Sequence, residues 1–338
     1  MLVIPVFIPH QGCPQNCLFC NQISISGTNP TRTDDVHLVQ STVNEWLGKC
    51  RKQKKTQLAF YGGSFTCLAR ERQQNLLHAV QPFIASGAVQ SIRLSTRPDC
   101  IDDSVCEFLK RHHVTTVELG VQSLDDTVLQ ASWRGHSAAD SIRAMKCIQQ
   151  AGLELGVQLM PGLPGENSRS WISTVREVAT LQPDCVRIYP TLVIGGAALA
   201  KEYESGAYVP LSMNRAISYC CIAKEYFDKA GITILRMGLQ AAESLEKQLI
   251  AGPYHPAFGE MVTARHWLKR SRKILAAAPA GSRTIFTISN RDVSAFVGRK
   301  RCNINRLEGL MQLKEQSKQF VYKTDPTLAR GTLKYAIA

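Results

Sequence analysis

The chain has 338 residues, of which 44% are hydrophobic, so it can build a substantial core as one α/β domain with an appendage. Its formal net charge is +13, and no apolar run approaches the roughly 18 residues that would indicate a membrane span. No secretory signal precedes His10, so we expect a cytoplasmic protein with no membrane partner.

The chain up to Pro190 alternates between short β-rich runs and helical patterns. Strands are predicted at residues 3–8, 57–61, 91–95, 115–120, 154–160 and 185–189. Helices are predicted between them at residues 38–47, 76–83, 104–110, 138–151 and 170–181. This alternation is typical of parallel βαβ units, so about six βα repeats predict a partial or complete barrel. We assign residues 1–210 to this barrel core.

Beyond residue 210 the pattern loosens into an α+β extension, residues 211–338. Helices are predicted at residues 211–230 and 304–319, and strands at residues 232–237, 283–289 and 320–323. From Arg265 onward there are 16 Lys and Arg against 4 Asp and Glu, whereas the chain before Arg265 holds 24 against 23. A solvated basic surface would give such a tail, but its concentration favours a polyanion partner, most simply tRNA or another structured RNA.

Three cysteines, Cys13, Cys17 and Cys20, are clustered directly after the first predicted strand. In a reducing compartment such a cluster indicates a metal site rather than a disulfide. Three thiolates can hold three irons of a 4Fe-4S cluster and leave the fourth iron open for chelation by S-adenosylmethionine (SAM). A zinc site completed by His10 is the alternative. The other nine cysteines have no ligand spacing and are interpreted as small buried hydrophobic residues.

The cysteine spacing and its place after the first strand resemble the radical SAM superfamily, and Gly62-Gly63-Ser64 after the second strand is similar to the glycine-rich segment of that family. Further segments resemble the radical SAM core of the elongator catalytic subunit and its bacterial relatives over roughly residues 5–210. These segments are residues 95–99, 118–123, 134–136 and 187–194. The resemblance implies a radical SAM partial (β/α)6-type barrel with a basic α+β C-terminal extension, a 4Fe-4S cluster on catalytic Cys13, Cys17 and Cys20, and SAM as the second cofactor.

The resemblance also assigns SAM contacts to residues at strand ends. They are Gly62, Gly63, Ser64, Thr96, Arg97, Glu118, Gln122, Arg134, Gln158, Met160 and Tyr189. The two glycines would offer carbonyls to the SAM amino group, with Ser64 in place of the acidic residue usual in the family. Arg97 or Arg134 would hold the SAM carboxylate. Surface ion pairing of the arginines, a buried structural role for Glu118 and a core role for Met160 are the alternatives.

The expected activity is reductive cleavage of SAM to a 5'-deoxyadenosyl radical that abstracts hydrogen from a substrate, which we expect to be a tRNA nucleoside. The alternatives are a radical SAM enzyme acting on a small metabolite, and a non-catalytic RNA-binding protein with a structural metal site. An electron donor such as flavodoxin or ferredoxin is expected. Unlike the elongator subunit, the chain shows no acetyltransferase segment after its core. The candidate substrate contacts are Arg236, His255, Arg299, Lys300 and Arg301.

Overall fold

The protein is described from a computed structural model, in which residues 2–8, 13–21, 34–49, 55–312 and 319–338 are described. The chain forms two compact units. The first, which we call the barrel unit, contains residues 1–219 and 226–256, and the second, the basic unit, contains residues 220–225 and 257–338. No helix among the described residues is long and apolar enough to cross a membrane.

The barrel unit is built on a curled, half-barrel sheet of parallel strands. The strands of this unit are β1 (Leu2–Phe7), β2 (Thr56–Tyr61), β3 (Ser91–Thr96), β4 (Val114–Gln122), β5 (Glu154–Leu159), β6 (Cys185–Ile188), β7 (Val193–Ile194), β8 (Thr233–Met237) and β9 (Leu249–Ala251). Seven of them form the main sheet in the order β1-β2-β3-β4-β5-β6-β8, and β7 pairs with β9 separately. The predicted α/β barrel fold is therefore confirmed. The sheet gains β8 from beyond residue 210, and the proposed domain boundary there stays a prediction.

Helices connect the strands, and two of them begin with a capping box. They are α1 (Asp35–Lys49), α2 (Arg70–Ala85), α3 (Asp103–Arg111), α4 (Asp126–Ala131), α5 (Ala138–Gln150), α6 (Ser168–Thr180), α7 (Ala198–Glu204), α8 (Met213–Lys229) and α9 (Glu243–Gln248). Ser137 and Asp140 form a capping box at the start of α5, and Asn167 and Ser170 form another at α6. These reciprocal bonds satisfy backbone N–H groups that a helix start leaves unpaired. The five predicted connecting helices correspond to α1, α2, α3, α5 and α6, and the predictions at α5 and α6 run one residue beyond the observed ends.

Alternation along the strands gives the sheet an apolar outer face and a polar lumen. In β4, Val117 and Leu119 are fully buried under the helices, whereas Thr116 and Glu118 point to the opposite face, because successive side chains in a strand alternate. Hydrogen bonds among side chains of different strands show that they share this inner face. They run between Gln57, Arg93, Glu118, Arg187, Tyr61 and Tyr189. The lumen therefore carries the groups available for a polar ligand.

The basic unit has its own sheet and core. Its strands are β10 (Arg283–Ile288), β11 (Gln319–Thr324) and β12 (Leu333–Ile337), and its helices are α10 (Phe258–Ala277), α11 (Val293–Val297) and α12 (Cys302–Gln312). Strand β10 lies centrally, parallel to β11 and antiparallel to β12. Phe296 packs edge-on against both Trp267 and Phe286 at ring-centroid distances of 5.9 and 5.7 Å. The predicted strands at 283–289 and 320–323 are confirmed, whereas α10, α11 and β12 are not predicted by the pattern. The predicted helix at 304–319 corresponds to α12 as far as Gln312; residues 313–318 lie outside the described residues, and Gln319 begins β11 instead.

Candidate active site

The loop with the three cysteines is fixed at its centre by neighbouring elements. The N–H of Leu18 donates to the carbonyl of Ser132 at 3.1 Å, and the N–H of Leu199 donates to the carbonyl of Leu18 at 2.7 Å. Leu18 and Phe19 are buried in an apolar cluster with Leu163, Leu199 and Tyr208. Phe19, between the second and third cysteines, thus excludes water from one side of the loop. Packing and backbone bonds hold this segment against the end of α4 and the start of α7.

The three thiols differ in their surroundings. Cys17 is buried, whereas Cys13 and Cys20 are half-buried, and the Cys13 thiol bonds to the carbonyl of Gln15 at 3.3 Å. Within the described part of the chain, no three His, Cys, Asp or Glu side chains converge as a ready metal-binding group. His10, the alternative zinc ligand, lies outside the described residues.

Two guanidinium groups surround Cys17. Nη1 of Arg134 donates to the Cys17 sulfur at 3.1 Å, and Nη1 of Arg97 lies 4.0 Å from it. Arg97 is also ion-paired with Asp99 at 2.9 Å, and Nη2 of Arg134 donates to the carbonyl of Gly120. Nε of Arg134 is buried without a hydrogen-bond partner. Cationic donors around a thiolate, one of them with an unused N–H, fit an anionic iron-sulfur cluster on these cysteines.

The glycine-rich turn after β2 is tied to the end of β3. Gly62 has φ 88°, a left-handed conformation that glycine adopts without a Cβ penalty. The hydroxyl of Ser64 accepts from the N–H of Arg97 at 3.0 Å and contacts the hydroxyl of Thr96 at 3.3 Å. The hydroxyl of Thr96 in turn bonds to that of Thr66 at 2.5 Å. Ser64, where the family usually has an acidic residue, thus links two strand ends.

A second group of predicted SAM contacts meets between β4 and β5. Nε2 of Gln158 donates to Oε1 of Gln122 at 3.2 Å, and the N–H of Met160 donates to the carbonyl of Gln122 at 3.0 Å. Gln122 has φ 69° where the register between the two strands shifts. The structure therefore brings Gln122, Gln158 and Met160 together, and their contact with SAM stays a prediction.

Glu118 is engaged by two arginines that sequence reasoning did not assign to the site. Its carboxylate pairs with Nη1 of Arg93 at 2.5 Å and with Nε of Arg187 at 2.8 Å. Arg187 also donates to the hydroxyls of Tyr189 and Tyr61 at 3.4 and 3.3 Å. Burial, followed by the field of Glu118, raises the pKa of Tyr61 to about 12, so its hydroxyl stays protonated. For Arg93, the available sequence signal is a charged residue at an inward-facing position of β3.

The predicted substrate contacts are placed in different parts of the protein. Arg236 on β8 is paired in register with Arg187 on β6, and its Nε donates to the carbonyl of Gly238 at 3.0 Å. His255 belongs to the barrel unit, whereas Arg299, Lys300 and Arg301 belong to the basic unit. The substrate roles of all five stay predictions.

A disulfide joins Cys67 and Cys100, which corrects their interpretation as isolated buried hydrophobic residues. Cys67 ends the 3-10 turn Phe65–Cys67 after β2, and Cys100 ends the turn Pro98–Cys100 after β3. The bond closes a loop across two neighbouring strand ends, beside Ser64 and Arg97. The spacing of 33 residues gave no local sign of it, because the pairing depends on β2 and β3 being adjacent.

Two family models match this chain and together cover most of the barrel unit. The Radical SAM superfamily matches residues 7–178 and the Radical_SAM C-terminal domain matches residues 183–270. The chain belongs to the radical SAM superfamily. Among its relatives, a tRNA uridine(34) acetyltransferase of Methanocaldococcus jannaschii is 36% identical over 266 residues, which are 67% of this chain and 49% of that protein. An uncharacterised protein of the same organism is 28% identical over 62% of this chain and 67% of its own length.

Solved structures agree on the fold. The archaeal Elp3 of Methanocaldococcus infernus superposes with a TM-score of 0.64 at 21% identity, covering 83% of this chain and 66% of that one. Coproporphyrinogen III oxidase of Escherichia coli, described as a radical SAM enzyme, gives a TM-score of 0.53 at 17% identity, covering 79% and 58%. The chain spans about half of the jannaschii acetyltransferase and 36% of a tRNA uridine(34) acetyltransferase from Methanocaldococcus infernus.

Replacing Glu118 with Gln should destabilise the barrel unit by about 3–5 kcal/mol, because Arg93 and Arg187 would keep buried charges without a counter-ion. Urea denaturation followed by circular dichroism measures this loss. Glu107→Gln, at an exposed position of α3, is the control and should change stability by less than about 0.5 kcal/mol. Equal stabilities of the two variants would contradict a structural role for the Glu118 pairing.

Reduction of the Cys67–Cys100 bond should lower the free energy of unfolding by about 3–4 kcal/mol. The reason is that the two cysteines are 33 residues apart, and reduction releases the loop between them in the unfolded chain. Thermal denaturation of metal-free protein with and without a phosphine reductant measures the effect. The Cys67→Ser, Cys100→Ser double variant should not respond to the reductant, whereas Cys302→Ser, at an exposed free cysteine, should respond like the wild type. A wild-type transition indifferent to reductant would show that the bond adds no stability.

Proposed function

We propose that this protein is a radical SAM enzyme that abstracts hydrogen from a nucleoside of a structured RNA, with tRNA as the leading substrate. Cys13, Cys17 and Cys20 would hold a 4Fe-4S cluster. When bound, the cluster supplies the electron, received from a flavodoxin or ferredoxin, that cleaves SAM to methionine and a 5'-deoxyadenosyl radical. The observation that carries the proposal is the cysteine loop of a radical SAM family member with two guanidinium groups directed at Cys17.

The barrel unit supplies the remaining parts of the site. Arg97 and Arg134 would balance the charge of the cluster and keep Cys17 in place, and either guanidinium can also reach for the SAM carboxylate. Gly62 and Gly63 would present backbone carbonyls to the SAM amino group. Gln122, Gln158 and Met160 would line the nucleoside side of SAM, and the polar lumen around Arg187 and Tyr189 would receive the substrate.

The choice of RNA rests on two observations. Three relatives of this chain are named as tRNA uridine(34) acetyltransferases, and the segment from Arg265 to Ala338 carries 16 Lys and Arg against 4 Asp and Glu. The proposal covers radical formation and hydrogen abstraction. It does not include acetyl transfer, an activity that is stated in the names of those relatives.

Cys17→Ser should lose nearly all cluster iron and all SAM cleavage, because one of three protein ligands is replaced by a poor iron ligand. Iron content and 5'-deoxyadenosine are measured after anaerobic reconstitution and reduction. Cys302→Ser, outside the loop, should keep both. A wild-type protein that is loaded with cluster and never forms 5'-deoxyadenosine would sink the enzyme proposal and favour a structural metal site.

Deletion of the gene should remove one modified nucleoside from cellular tRNA or leave its precursor in place. Mass spectrometry of nucleosides from purified tRNA and rRNA, compared between wild-type and deletion strains, reveals this change. Complementation with the wild-type gene should restore the nucleoside, and complementation with the Cys17→Ser variant should not. Unchanged RNA nucleosides together with an accumulating small molecule would show that the substrate is a small metabolite and not RNA.

A further inference from the structure

A short turn in the basic unit concentrates positive charge at one place. We call Arg299, Lys300 and Arg301 the basic turn; they lie directly before α12, and all three are exposed. Arg306, also exposed, lies one helical turn beyond Cys302, so it extends the same end of α12. Four cations are thus placed at the start of one helix.

These four cations differ from Lys269, Arg270 and Arg330 of the basic unit, because no residue of the described chain pairs with them. Lys269 lies 3.7 Å from Glu225, Arg330 lies 3.6 Å from Asp292, and Arg270 donates to the carbonyl of Gly331 at 2.7 Å. For the basic turn and Arg306, by contrast, no ion pair or side-chain hydrogen bond is formed with any residue that the structure describes. Their charge remains available to an external partner.

Local acidic residues do not compensate this charge. Asp292 is almost fully buried and accepts from the N–H of Gly331 at 2.6 Å. Glu308 is exposed on α12, further from the turn than Arg306. The exposed surface next to the turn therefore favours an anion.

The backbone holds the basic turn in one shape. Lys300 and Arg301 have φ 50° and 59°, left-handed values that are uncommon for residues with a Cβ, and Gly298 has φ 76°. The buried Asn303 side chain, directly after the turn, anchors the start of α12 to α10 and α11. Its Nδ2 lies within 2.9–3.2 Å of the carbonyl oxygens of Ala264, Ala295 and Phe296. The guanidinium and ammonium groups thus extend from a rigid base, which reduces the entropy lost when they bind a ligand.

We infer that the basic turn together with Arg306 is a docking site for the phosphodiester backbone of a structured RNA. The inference rests on the proposed function, since it names the surface by which the RNA substrate would be held. Exposed, unpaired arginines suit phosphate oxygens, which they bind by charge-assisted forks. Such contacts position a nucleic acid without reading its sequence. The basic unit would therefore raise the affinity for RNA, and the barrel unit would choose the nucleoside.

The test compares salt dependence of tRNA binding. In Arg299→Gln, Lys300→Gln, Arg301→Gln protein, three phosphate contacts are lost, so the slope of log affinity against log salt should fall by about 2.7. Between 50 and 200 mM salt, the wild-type affinity should then drop about 40-fold more than that of the variant. Filter binding or fluorescence anisotropy with bulk bacterial tRNA measures both.

A charge-matched control removes three cations from the barrel unit. Lys49, Arg143 and Lys247 are exposed and each is paired with an acid on its own helix. Their triple Gln variant has the same net charge as the test variant and should keep the wild-type slope. Equal losses in the two variants would show that only net charge matters and would overturn the docking site.

Asn303→Ala tests whether the anchoring of the turn matters. It removes the side-chain donor directly after the turn and leaves the charge of the protein unchanged. Its tRNA affinity should fall several-fold if it remains folded by circular dichroism and gel filtration. If Asn303→Ala fails to fold, the salt dependence of the Arg299→Gln, Lys300→Gln, Arg301→Gln variant still tests the docking site.

Salt-dependent binding to phosphatidylglycerol vesicles that is lost in the triple variant, with tRNA binding intact, would overturn RNA as the partner. Wild-type protein that binds tRNA through the turn but yields no 5'-deoxyadenosine would instead refute the proposed function alone.

Discussion

Buried charge pairing at Glu118 is the constraint on which the barrel lumen depends. A single carboxylate serves two arginines from different strands, Arg93 on β3 and Arg187 on β6, and so links strands that are not neighbours in the sheet. Gly156 makes this possible, because a Cβ at that position would lie 2.9 Å from Cγ of Glu118. The group of two arginines and one glutamate carries one net positive charge. A polar lumen that is pre-assembled in this way keeps its groups oriented before any ligand enters.

The same principle acts at the cysteine loop, with sulfur in place of carboxylate. Arg97 follows β3 and Arg134 follows α4, yet both guanidinium groups approach Cys17. Asp99 and the carbonyl of Gly120 hold them in that orientation. Each arginine thus ties a strand end to the loop, and the structure links the position of the predicted SAM contacts to that of the predicted cluster ligands. A change at Arg134 is therefore felt at the loop and at the strand end together.

The sequence predicted most of what local patterns encode. The cysteine spacing, the six strands before Pro190 and the glycine turn at Gly62 all follow from short-range signals. Pairings between distant residues could not be predicted, because Glu118 meets Arg187 and Cys67 meets Cys100 only after the sheet has formed. Helix α10 had a usable signal in the spacing of the buried Phe258, Val262 and His266. Basic residues such as Lys269 and Arg270 interrupt its apolar face, so the pattern alone does not predict the helix.

Cations before Arg265 have more acidic residues to pair with than cations after it, because the two segments differ in composition. Before Arg265, 24 Lys and Arg face 23 Asp and Glu, and arginines such as Arg72 and Arg93 find acidic partners. From Arg265 to Ala338, 16 cations face only 4 acids, so most of them have no acid to pair with inside that segment. Mutual repulsion among such charges opposes a compact fold. A bound polyanion would remove that repulsion, so RNA binding at the basic turn would stabilise the basic unit as well as hold the substrate.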